Sequence, residues 1–248
     1  MKSRSSRPYI PRKIRQPQLS SHYLDRPYQL SIIIPALNES RVIVRTLMAL
    51  QPLRNGGHEV ILVDGGSEDD TVALSESLVD QVVTSSPGRA HQMNTGARHA
   101  WGETLLFLHA DTLLPTDVIS QISQALAGHE WGRFNVRLSG RNPMFRLIEH
   151  MMNLRSCLSG IATGDQAVFV TRSAYDRVGG YAELPLMEDI DFSRRMKKVS
   201  RPACIRSPVF TSSRRWEEHG IFKTILLMWR LRLAYYLGAD PQQLAKRY

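Results

Sequence analysis

Cysteine is scarce in this sequence. Only Cys157 and Cys204 occur, far apart and without the close spacing of zinc ligands. Thiols of this kind are typical of a reducing compartment. We therefore expect two reduced, buried cysteines in a cytoplasmic protein.

Long apolar runs are also missing. Residues 3–18, SRSSRPYIPRKIRQPQ, lack the run of about seven apolar residues that a signal peptide requires. No segment reaches the roughly 18 uninterrupted apolar residues of a membrane-spanning helix. The nearest approach, residues 221–238, is broken by Lys223, Arg230 and Arg232. The sequence thus predicts neither a signal peptide nor a spanning helix.

Positive charge is concentrated at the N-terminus. Residues 1–29 contain seven basic side chains against one acid, Asp25, and so carry +6 of the total of +9, which leaves +3 for the rest. A polar, basic stretch buries too little apolar surface to fold alone. We expect a flexible arm here, and a solvated tail is its simplest interpretation. Only Tyr9, Tyr23 and Tyr28 could stack on bases, which argues against a nucleic-acid-binding protein.

The chain is 42% hydrophobic and 22% charged, as is ordinary for a soluble globular protein, and residues 30–248 are enough for one large α/β domain. Segments with helical spacing separate four short apolar runs. Asn38 and the acids of SEDDTVALSESLV are candidate helix starts. Such alternation predicts a mainly parallel sheet covered by helices on both faces. The four apolar runs are residues 30–36, 58–66, 81–85 and 103–111.

The second half has a different pattern. GRFNVRL and QAVFVT are typical of strands of mixed direction, with a long helix predicted over NPMFRLIEHMMNLRSCL between them. Another helix is predicted over MEDIDFSRRMKKV, and an amphipathic helical region ends the chain. That last region is expected to be a core or substrate-covering helix, although it could also lie on a bilayer or form a dimer face.

Polar residues follow three of the predicted parallel strands. They are PALNE at 35–39, DGGS at 64–67 and HADT at 109–112. The carboxyl ends of parallel strands meet at one edge of a sheet, where ligands bind. Three strand ends are therefore expected to converge on one cleft.

These motifs, together with GRAHQMNTGA and MEDIDFSRR, resemble a family 2 glycosyltransferase in order and spacing over roughly residues 30 to 236. The resemblance implies the nucleotide-diphospho-sugar transferase fold of the A type, a Rossmann-like sheet. A narrower likeness is to the selenosugar synthases, the radical-SAM and selenodomain-associated transferases. It rests on FLHADT, TGDQAVFV, PLMEDIDFSRR, SSRRWEEHG and YYLGADPQQL.

The resemblance assigns the first strand ends to a UDP-sugar donor. Asp64 would contact the uracil and ribose, and Gly65 permits close approach of the backbone. Asp64 could instead only cap the next helix. The predicted donor-binding residues are Pro35, Leu37, Asn38, Glu39, Asp64, Gly65, Arg89, Gln92, Asn94, Ala110 and Asp111.

Asp111 corresponds to the family's metal-binding acid. The usual pair of aspartates is reduced here to one, because His109 replaces the first. Asp111 could still hold Mg²⁺ or Mn²⁺ together with oxygens of the donor's two phosphates. His109 could touch the ribose or a phosphate, or be an ordinary buried histidine. His219 is a possible additional metal ligand.

GRAHQMNTGA is predicted to begin a helix after a loop. Free N–H groups at a helix start, with Arg89 beside Gly88, suit a diphosphate. Gln92 and Asn94 offer polar contacts to the nucleotide or sugar. A surface helix with an exposed arginine is the alternative.

MEDIDFSRR places Glu188, Asp189 and Asp191 at a helix start. Such acids often serve only the helix dipole. The resemblance assigns Asp189 to the general base that takes the acceptor's proton, with Glu188 or Asp191 orienting it or a sugar hydroxyl. Three neighbouring carboxylates should raise at least one pKa.

Five further residues are candidates for binding the acceptor or the transferred sugar. Asp165 and Gln166 could bind sugar hydroxyls, or Asp165 could cap a turn. Arg214 and Arg215 could clamp a phosphate beside Trp216.

The sequence thus predicts an inverting hexosyltransferase that uses a UDP-sugar and a divalent cation. The narrower likeness implies selenophosphate as the acceptor. The alternatives are a hydroxyl acceptor (a sugar, a lipid or an arsenosugar precursor) and a non-catalytic or membrane-recruited binding module. A nucleotidyltransferase would require a basic glycine-rich loop after the first strand, which PALNES lacks. No nucleic-acid partner is expected.

Overall fold

The computed structural model describes residues 30–247, except for the side chain of Arg215. The predicted N-terminal arm, residues 1–29, lies outside the described residues. Within 30–247 no boundary between separate domains interrupts the sheet described below.

The first half alternates strands and helices as predicted. The four apolar runs form strands, and the helices lie between them. In chain order the elements are β1 (Leu30–Ala36), α1 (Ile43–Asn55), β2 (Glu59–Asp64), α2 (Thr71–Ser75), β3 (Gln81–Thr84), α3 (Arg89–His99) and β4 (Thr104–Phe107).

The second half of the described residues supplies three more strands and seven more helices. A short 3-10 turn, Gly164–Gln166, precedes β6. The elements are α4 (Val118–Leu126), β5 (Trp131–Leu138), α5 (Pro143–Ser159), β6 (Val168–Thr171), α6 (Arg172–Arg177), α7 (Glu188–Met196), β7 (Ala203–Thr211), α8 (Arg214–His219), α9 (Ile221–Tyr236) and α10 (Pro241–Ala245).

All seven strands join one sheet in the order β3-β2-β1-β4-β6-β5-β7. Within the described residues β6 alone runs antiparallel to its neighbours β4 and β5, which confirms the predicted mixture of directions. The sheet is covered on both faces. In β1, Ile32 and Ile34 pack in the cluster that contains Leu47 of α1, whereas Ile33 packs with Met93 of α3. Alternate residues of a strand point to opposite faces, so both faces of β1 are apolar.

The start of α1 differs from the prediction. Asn38 does not cap it, because the helix begins at Ile43. Instead, Asn38 has a positive φ of 55°, and its Oδ1 accepts a hydrogen bond from the Glu68 N–H at 2.9 Å. The amide therefore joins the β1 and β2 ends, a contact between distant residues that local helix-start signals do not report.

The prediction of two reduced, buried cysteines is wrong. Cys157 of α5 and Cys204 of β7 form a disulfide, with Cα atoms 5.8 Å apart. Cys157 is exposed and Cys204 half-buried. Their separation of 47 residues hides the pairing, because only the packing of α5 beside β7 brings the two side chains together.

The apolar helix near the C-terminus, α9, has both buried and exposed apolar side chains. Leu231 is buried, while Phe222, Leu226 and Leu233 are each more than half exposed. Among the described residues no helix has the length and apolar character needed to span a bilayer.

Candidate active site

A cavity of about 540 Å³ lies beyond the carboxyl end of β4, between α5 and α9. Polar residues from four separate places face it. Asp111 and His109 come from the loop after β4, Arg89 begins α3, and Asp189 lies in the first turn of α7. Asp165 of the 3-10 turn also lines it. Of the three strand ends predicted to converge on one cleft, that of β4 lines this cavity, whereas residues 35–39 and 64–67, after β1 and β2, do not.

The loop after β4 carries its carboxylate at the cavity wall. The Oδ1 atom of Asp111 lies 3.4 Å from the hydroxyl oxygens of Thr112 and Thr211. Burial raises the pKa of Asp111, and the positive charge of Arg214 opposes this rise. The desolvated carboxylate has weak contacts within the protein, so it is suited to bind a cation.

His109 faces the same cavity as a neutral ring. Burial lowers its pKa to about 3, and the adjacent Arg89 guanidinium contributes to the decrease. At neutral pH the imidazole therefore carries one N–H donor and one acceptor nitrogen. Such a ring can contact a hydroxyl or phosphate oxygen without adding charge.

A buried ion pair joins α3 to α7. Arg89 Nε lies 3.2 Å from Glu188 Oε1, and the Glu188 side chain is only 4% exposed. Burial raises the pKa of Glu188; Arg89 opposes the increase and Asp189 adds to it. One carboxyl of the acidic cluster thus has a raised pKa, as predicted. Glu188 fixes Arg89 at the cavity wall, whereas Asp189 faces the cavity itself.

The three acids of α7 have three different environments. Asp191 is tied to Arg195, with Oδ2 2.7 Å from Nη2, and does not line the cavity. Residues two apart on a helix are rotated by about 200°, so Asp189 and Asp191 face opposite sides. Asp191 therefore lies away from the cavity that Asp189 lines, and its predicted contact with the acceptor stays a prediction.

Asp189 is positioned by backbone donors. Its Oδ2 accepts from the Gly164 N–H at 3.3 Å, and its Oδ1 accepts from the Ile190 N–H at 2.8 Å. Asp165 lies in the same turn as Gly164, and its Oδ1 accepts a hydrogen bond from Thr163 Oγ1 at 2.5 Å. Two carboxylates therefore face the cavity from adjoining positions.

Gly164 has no room for a side chain. A Cβ atom there would overlap the Arg89 guanidinium and lie 2.7 Å from His109 Nε2. We expect Gly164→Ala to displace both groups and to lower kcat/KM of any reaction in the cavity by roughly a hundredfold, since small misplacements of positioning groups have effects of this size.

The measurement for Gly164→Ala is steady-state turnover alongside the melting temperature. Gly128→Ala is the matched control, because its Cβ would meet no atom within 4 Å. Full activity of Gly164→Ala at an unchanged melting temperature would show that Arg89 and His109 are not needed where they lie.

The ends of β1 and β2 form a hydrogen-bonded pair of loops. Asp64 Oδ2 accepts from the Gly66 and Ser67 N–H groups at 3.0 Å each, and the Asn38 N–H donates to Ser67 Oγ at 2.9 Å. Asp64 thus caps the turn after β2 and not the next helix, α2, whose N-cap residue is Asp70. Its second oxygen, Oδ1, has only a 3.2 Å contact with the Ser67 N–H.

Arg214 approaches the loop after β1. Its Nη2 lies 3.3 Å from Glu39 Oε2. Burial raises the pKa of Glu39, Arg214 opposes this, and the charge of Asp111 adds to it. Glu39, Asp111 and Arg214 therefore form one electrostatic group at the ends of β1 and β4.

The comparisons with known proteins agree with this geometry. The family model described as glycosyl transferase family 2 matches residues 31–215. The chain belongs to glycosyl transferase family 2. An uncharacterized glycosyltransferase of Mycobacterium tuberculosis is 33% identical over 190 residues, covering 71% of this chain and 72% of that protein. The beta-monoglucosyldiacylglycerol synthase of a Synechocystis strain is 26% identical over 246 residues, covering 88% of this chain and 49% of that protein.

Solved structures show the fold of the family. The S. aureus TarS 1–349 structure in complex with UDP has a TM-score of 0.59 at 18% identity over 74% of this chain. The mannosyltransferase PcManGT of Pyrobaculum calidifontis, in complex with GDP-Man and Mn²⁺, has a TM-score of 0.59 at 22% identity over 87% of this chain. The match spans 60% of the TarS chain and 66% of PcManGT. The predicted A-type fold and the glycosyltransferase class are confirmed.

Three residues that were predicted to contact the ligands instead form hydrogen bonds from their side-chain amides to the backbone of this transferase. Gln92 is buried, and its Nε2 donates to the carbonyls of Ala36 and Val63. Asn94 bonds to both backbone groups of Tyr181, and Gln166 Oε1 accepts from the Thr163 N–H at 3.1 Å. These amides hold the loops around the site rather than facing the cavity.

The remaining predicted residues lie near the ends of β1, β2 and β4 or in α8. Trp216 lines the cavity, and Ala110 is buried with its carbonyl accepting from Thr46 Oγ1 at 2.7 Å. His219 is exposed at the end of α8 and is not a cavity residue. Pro35 is half-buried, Leu37 is exposed and Gly65 is buried against the Gln92 side chain.

Sequence reasoning missed the cavity wall formed by α5 and α9. Met151, Met152 and Arg155 of α5 face Met228, Trp229 and Arg232 of α9. The helical spacing of apolar residues predicted both segments as helices, and one of them as a substrate-covering helix. This spacing does not show that α5 and α9 face each other. The contact between helices about 75 residues apart supplies the missing information.

Proposed function

We propose that this transferase moves a hexose from a UDP-sugar to an acceptor by a single inverting displacement. The observation that carries the proposal is that Asp111 and Asp189 face one cavity from different elements. The acceptor atom forms a bond to C1 of the hexose as the C1–O bond breaks. The electron pair of that bond goes to the diphosphate, and UDP leaves. Positioning and charge stabilisation supply most of the rate enhancement.

The donor is assigned to the β1, β2 and β4 ends. Asp64 and the backbone of Gly65 receive uracil and ribose, while Arg89 and Asp111 lie at the diphosphate. Support comes from the carboxyl-end position of all four, the usual ligand position in such sheets. The TarS structure with UDP adds support from a neighbour of the same fold. The transferred hexose is glucose or N-acetylglucosamine, as the narrower likeness implies.

The protein ligand offered by Asp111 suits a Mg²⁺ or Mn²⁺ ion that binds together with the UDP-sugar. No group of three or more His, Cys, Asp or Glu is arranged to hold a metal in the described part of the chain. Mg²⁺ is commonly held by one or two carboxylates plus substrate phosphates, and Asp111 supplies one desolvated carboxylate. Such an ion supplies charge neutralisation at the departing diphosphate. A contribution from His219 remains a prediction.

Removal of divalent ions is expected to abolish most turnover. With a chelator in excess, UDP release should decrease by about a hundredfold or more, because the diphosphate charge is then met only by protein groups. Adding Mg²⁺ or Mn²⁺ back should restore the rate. Undiminished UDP release in excess chelator would contradict the assignment of Asp111 as a metal ligand.

We further propose selenophosphate as the acceptor, on the narrower likeness of the motifs. Selenium in this compound is already an anionic nucleophile, so no proton has to be removed before attack. The C1–Se bond forms as the C1–O bond breaks, and the products are a hexosyl selenophosphate and UDP. Asp189 would then orient the hexose or acceptor. The names of the relatives reported above include no selenosugar enzyme, so the motifs alone support this finer assignment.

A hydroxyl acceptor is the second candidate. It is favoured by the position of Asp189, whose backbone-held carboxylate can accept a proton at the cavity wall. The apolar side chains of Met151, Met228 and Trp229 would suit a lipid or aryl part of such an acceptor. Among the relatives, one is named as a synthase of a glucosyl-diacylglycerol.

The deciding experiment measures UDP release from UDP-glucose and UDP-N-acetylglucosamine. Selenophosphate, thiophosphate and hydroxyl acceptors are compared at equal concentration. Release that requires selenophosphate supports the first candidate, and release with hydroxyl compounds alone supports the second. If calorimetry with Mg²⁺ or Mn²⁺ present detects no binding of UDP or of either UDP-sugar, both candidates are wrong.

A further inference from the structure

Two arginines line the cavity at positions that no sequence motif indicated. Arg155 lies on α5 and Arg232 on α9, on opposite walls. The Nη1 atom of Arg155 donates to the carbonyl of Ile161 at 3.3 Å, while its Nη2 is buried without a hydrogen-bond partner among the described residues. An unsatisfied buried donor of this kind is costly unless a ligand completes it.

The two guanidinium groups are close enough to repel each other. Burial lowers the pKa of Arg155, and the charge of Arg232 adds to the effect. In residues 30–247 neither arginine has a carboxylate within ion-pair distance. Two like charges beside a partly enclosed cavity indicate a binding site for an anion, which would relieve the repulsion and satisfy the free N–H groups.

This positive pair is separate from the donor end of the site. Burial and the charge of Arg232 lower the pKa of Arg155, whereas Asp165, Asp189 and Tyr236 oppose this decrease. Asp111 instead interacts with Arg214. An anion at Arg155 and Arg232 would therefore lie on the Asp189 side of the cavity, where the acceptor enters, rather than at the diphosphate.

We propose that Arg155 and Arg232 together bind an anionic group of the acceptor, a phosphate or carboxylate, and so hold its nucleophilic atom beside Asp189. This inference rests on the proposed transferase function and specifies its acceptor class. The methionines that line the cavity, Met151 and Met228, contact the part of the acceptor that carries no charge. For selenophosphate, the arginines take the phosphate oxygens and leave selenium free to attack C1.

Arg232→Gln is the main test, because no hydrogen bond to another described residue is lost with it. We expect the KM for thiophosphate or selenophosphate to increase about tenfold or more, because the loss of a hydrogen bond between charged groups weakens binding by about this factor. The kcat and the Kd for UDP should change by less than about twofold. Arg155→Gln should give the same result, and Arg155→Lys should restore part of the acceptor affinity.

Arg230→Gln is the matched control. Arg230 is exposed and lies two residues before Arg232, on the opposite side of the same helix. It is expected to leave the acceptor KM unchanged. Inorganic phosphate should inhibit the wild type competitively against the acceptor, and this inhibition should weaken in Arg232→Gln but not in Arg230→Gln.

The outcomes separate this inference from the proposed function. If the wild type turns over but Arg155→Gln and Arg232→Gln leave the acceptor KM unchanged, or raise only the Kd for UDP, the acceptor-anion site is wrong and the transferase stands. If no UDP compound binds, the proposed function fails. Calorimetry with inorganic phosphate then decides on the anion site: binding lost in Arg232→Gln supports it, and no binding to the wild type overturns it.

Discussion

Asp189→Ala is expected to lower kcat by about a thousandfold with a hydroxyl acceptor, the typical contribution of a positioned general base. The Kd for UDP should not change, because Asp189 faces the acceptor side and its carboxylate is held by the Gly164 and Ile190 backbone. Steady-state kinetics and calorimetry on the same preparation measure the two quantities.

Asp189→Asn separates the two possible roles of this carboxylate. Asparagine keeps the shape and one acceptor oxygen but cannot take a proton. With a hydroxyl acceptor it should be as inactive as alanine; with selenophosphate it should retain a substantial part of the wild-type rate. Asp176→Asn, an exposed carboxylate on α6, is the control for a changed net charge. Full activity of Asp189→Ala with every acceptor would show that another group is the base.

Asp111→Asn is the second change with a large expected effect. Turnover should decrease by about a hundredfold or more, comparable to the loss of a group that stabilises transition-state charge. The Kd for UDP should increase clearly in the presence of Mg²⁺ or Mn²⁺. In the presence of a chelator, the wild type and the variant should bind UDP equally, because the carboxylate acts on the nucleotide only with the cation.

Asp117→Asn is the control for Asp111→Asn. It removes a charge six residues further along the chain, at an exposed position before α4 where the side chain makes no capping hydrogen bond. It should match the wild type in both assays. If Asp111→Asn weakened UDP binding as much with chelator as with metal, the role assigned to the cation would be wrong.

The first half of the fold was predictable because its signals are local. β1 to β4 are short apolar runs that are bounded by polar residues, and their pattern predicts both the element type and the parallel direction. The beginning of α1 was mispredicted because Asn38 bonds to Glu68, thirty residues away. A local start signal cannot distinguish an amide that caps a helix from one that joins two loops.

The site was predictable where the chemistry lies at strand and helix ends. Asp111, Arg89 and Asp189 face one cavity, as expected from carboxyl-end positions and the family motifs. The sequence does not show which of Asp189 and Asp191 faces the cavity. The helical rotation between them places them on opposite sides, so the choice follows once the side of the cavity is known.

The acceptor wall required the tertiary structure. Arg155 and Arg232 belong to helices that sequence patterns describe only one at a time, and their proximity depends on how α5 packs against α9. The disulfide between Cys157 and Cys204 was missed for the same reason. In both cases the spacing along the chain carries no information about distance in space.

The Arg89–Glu188 pair also has a consequence for synthesis on the ribosome. Its members are 99 residues apart, so Arg89 emerges long before its carboxylate partner exists. Until α7 has been translated, Glu188 cannot hold the guanidinium at the cavity wall, and this part of the site remains unfinished. A nascent chain that has passed β4 but not α7 should therefore be unable to consume sugar nucleotide, which delays catalysis until α7, ending at residue 196 of 248, has been made.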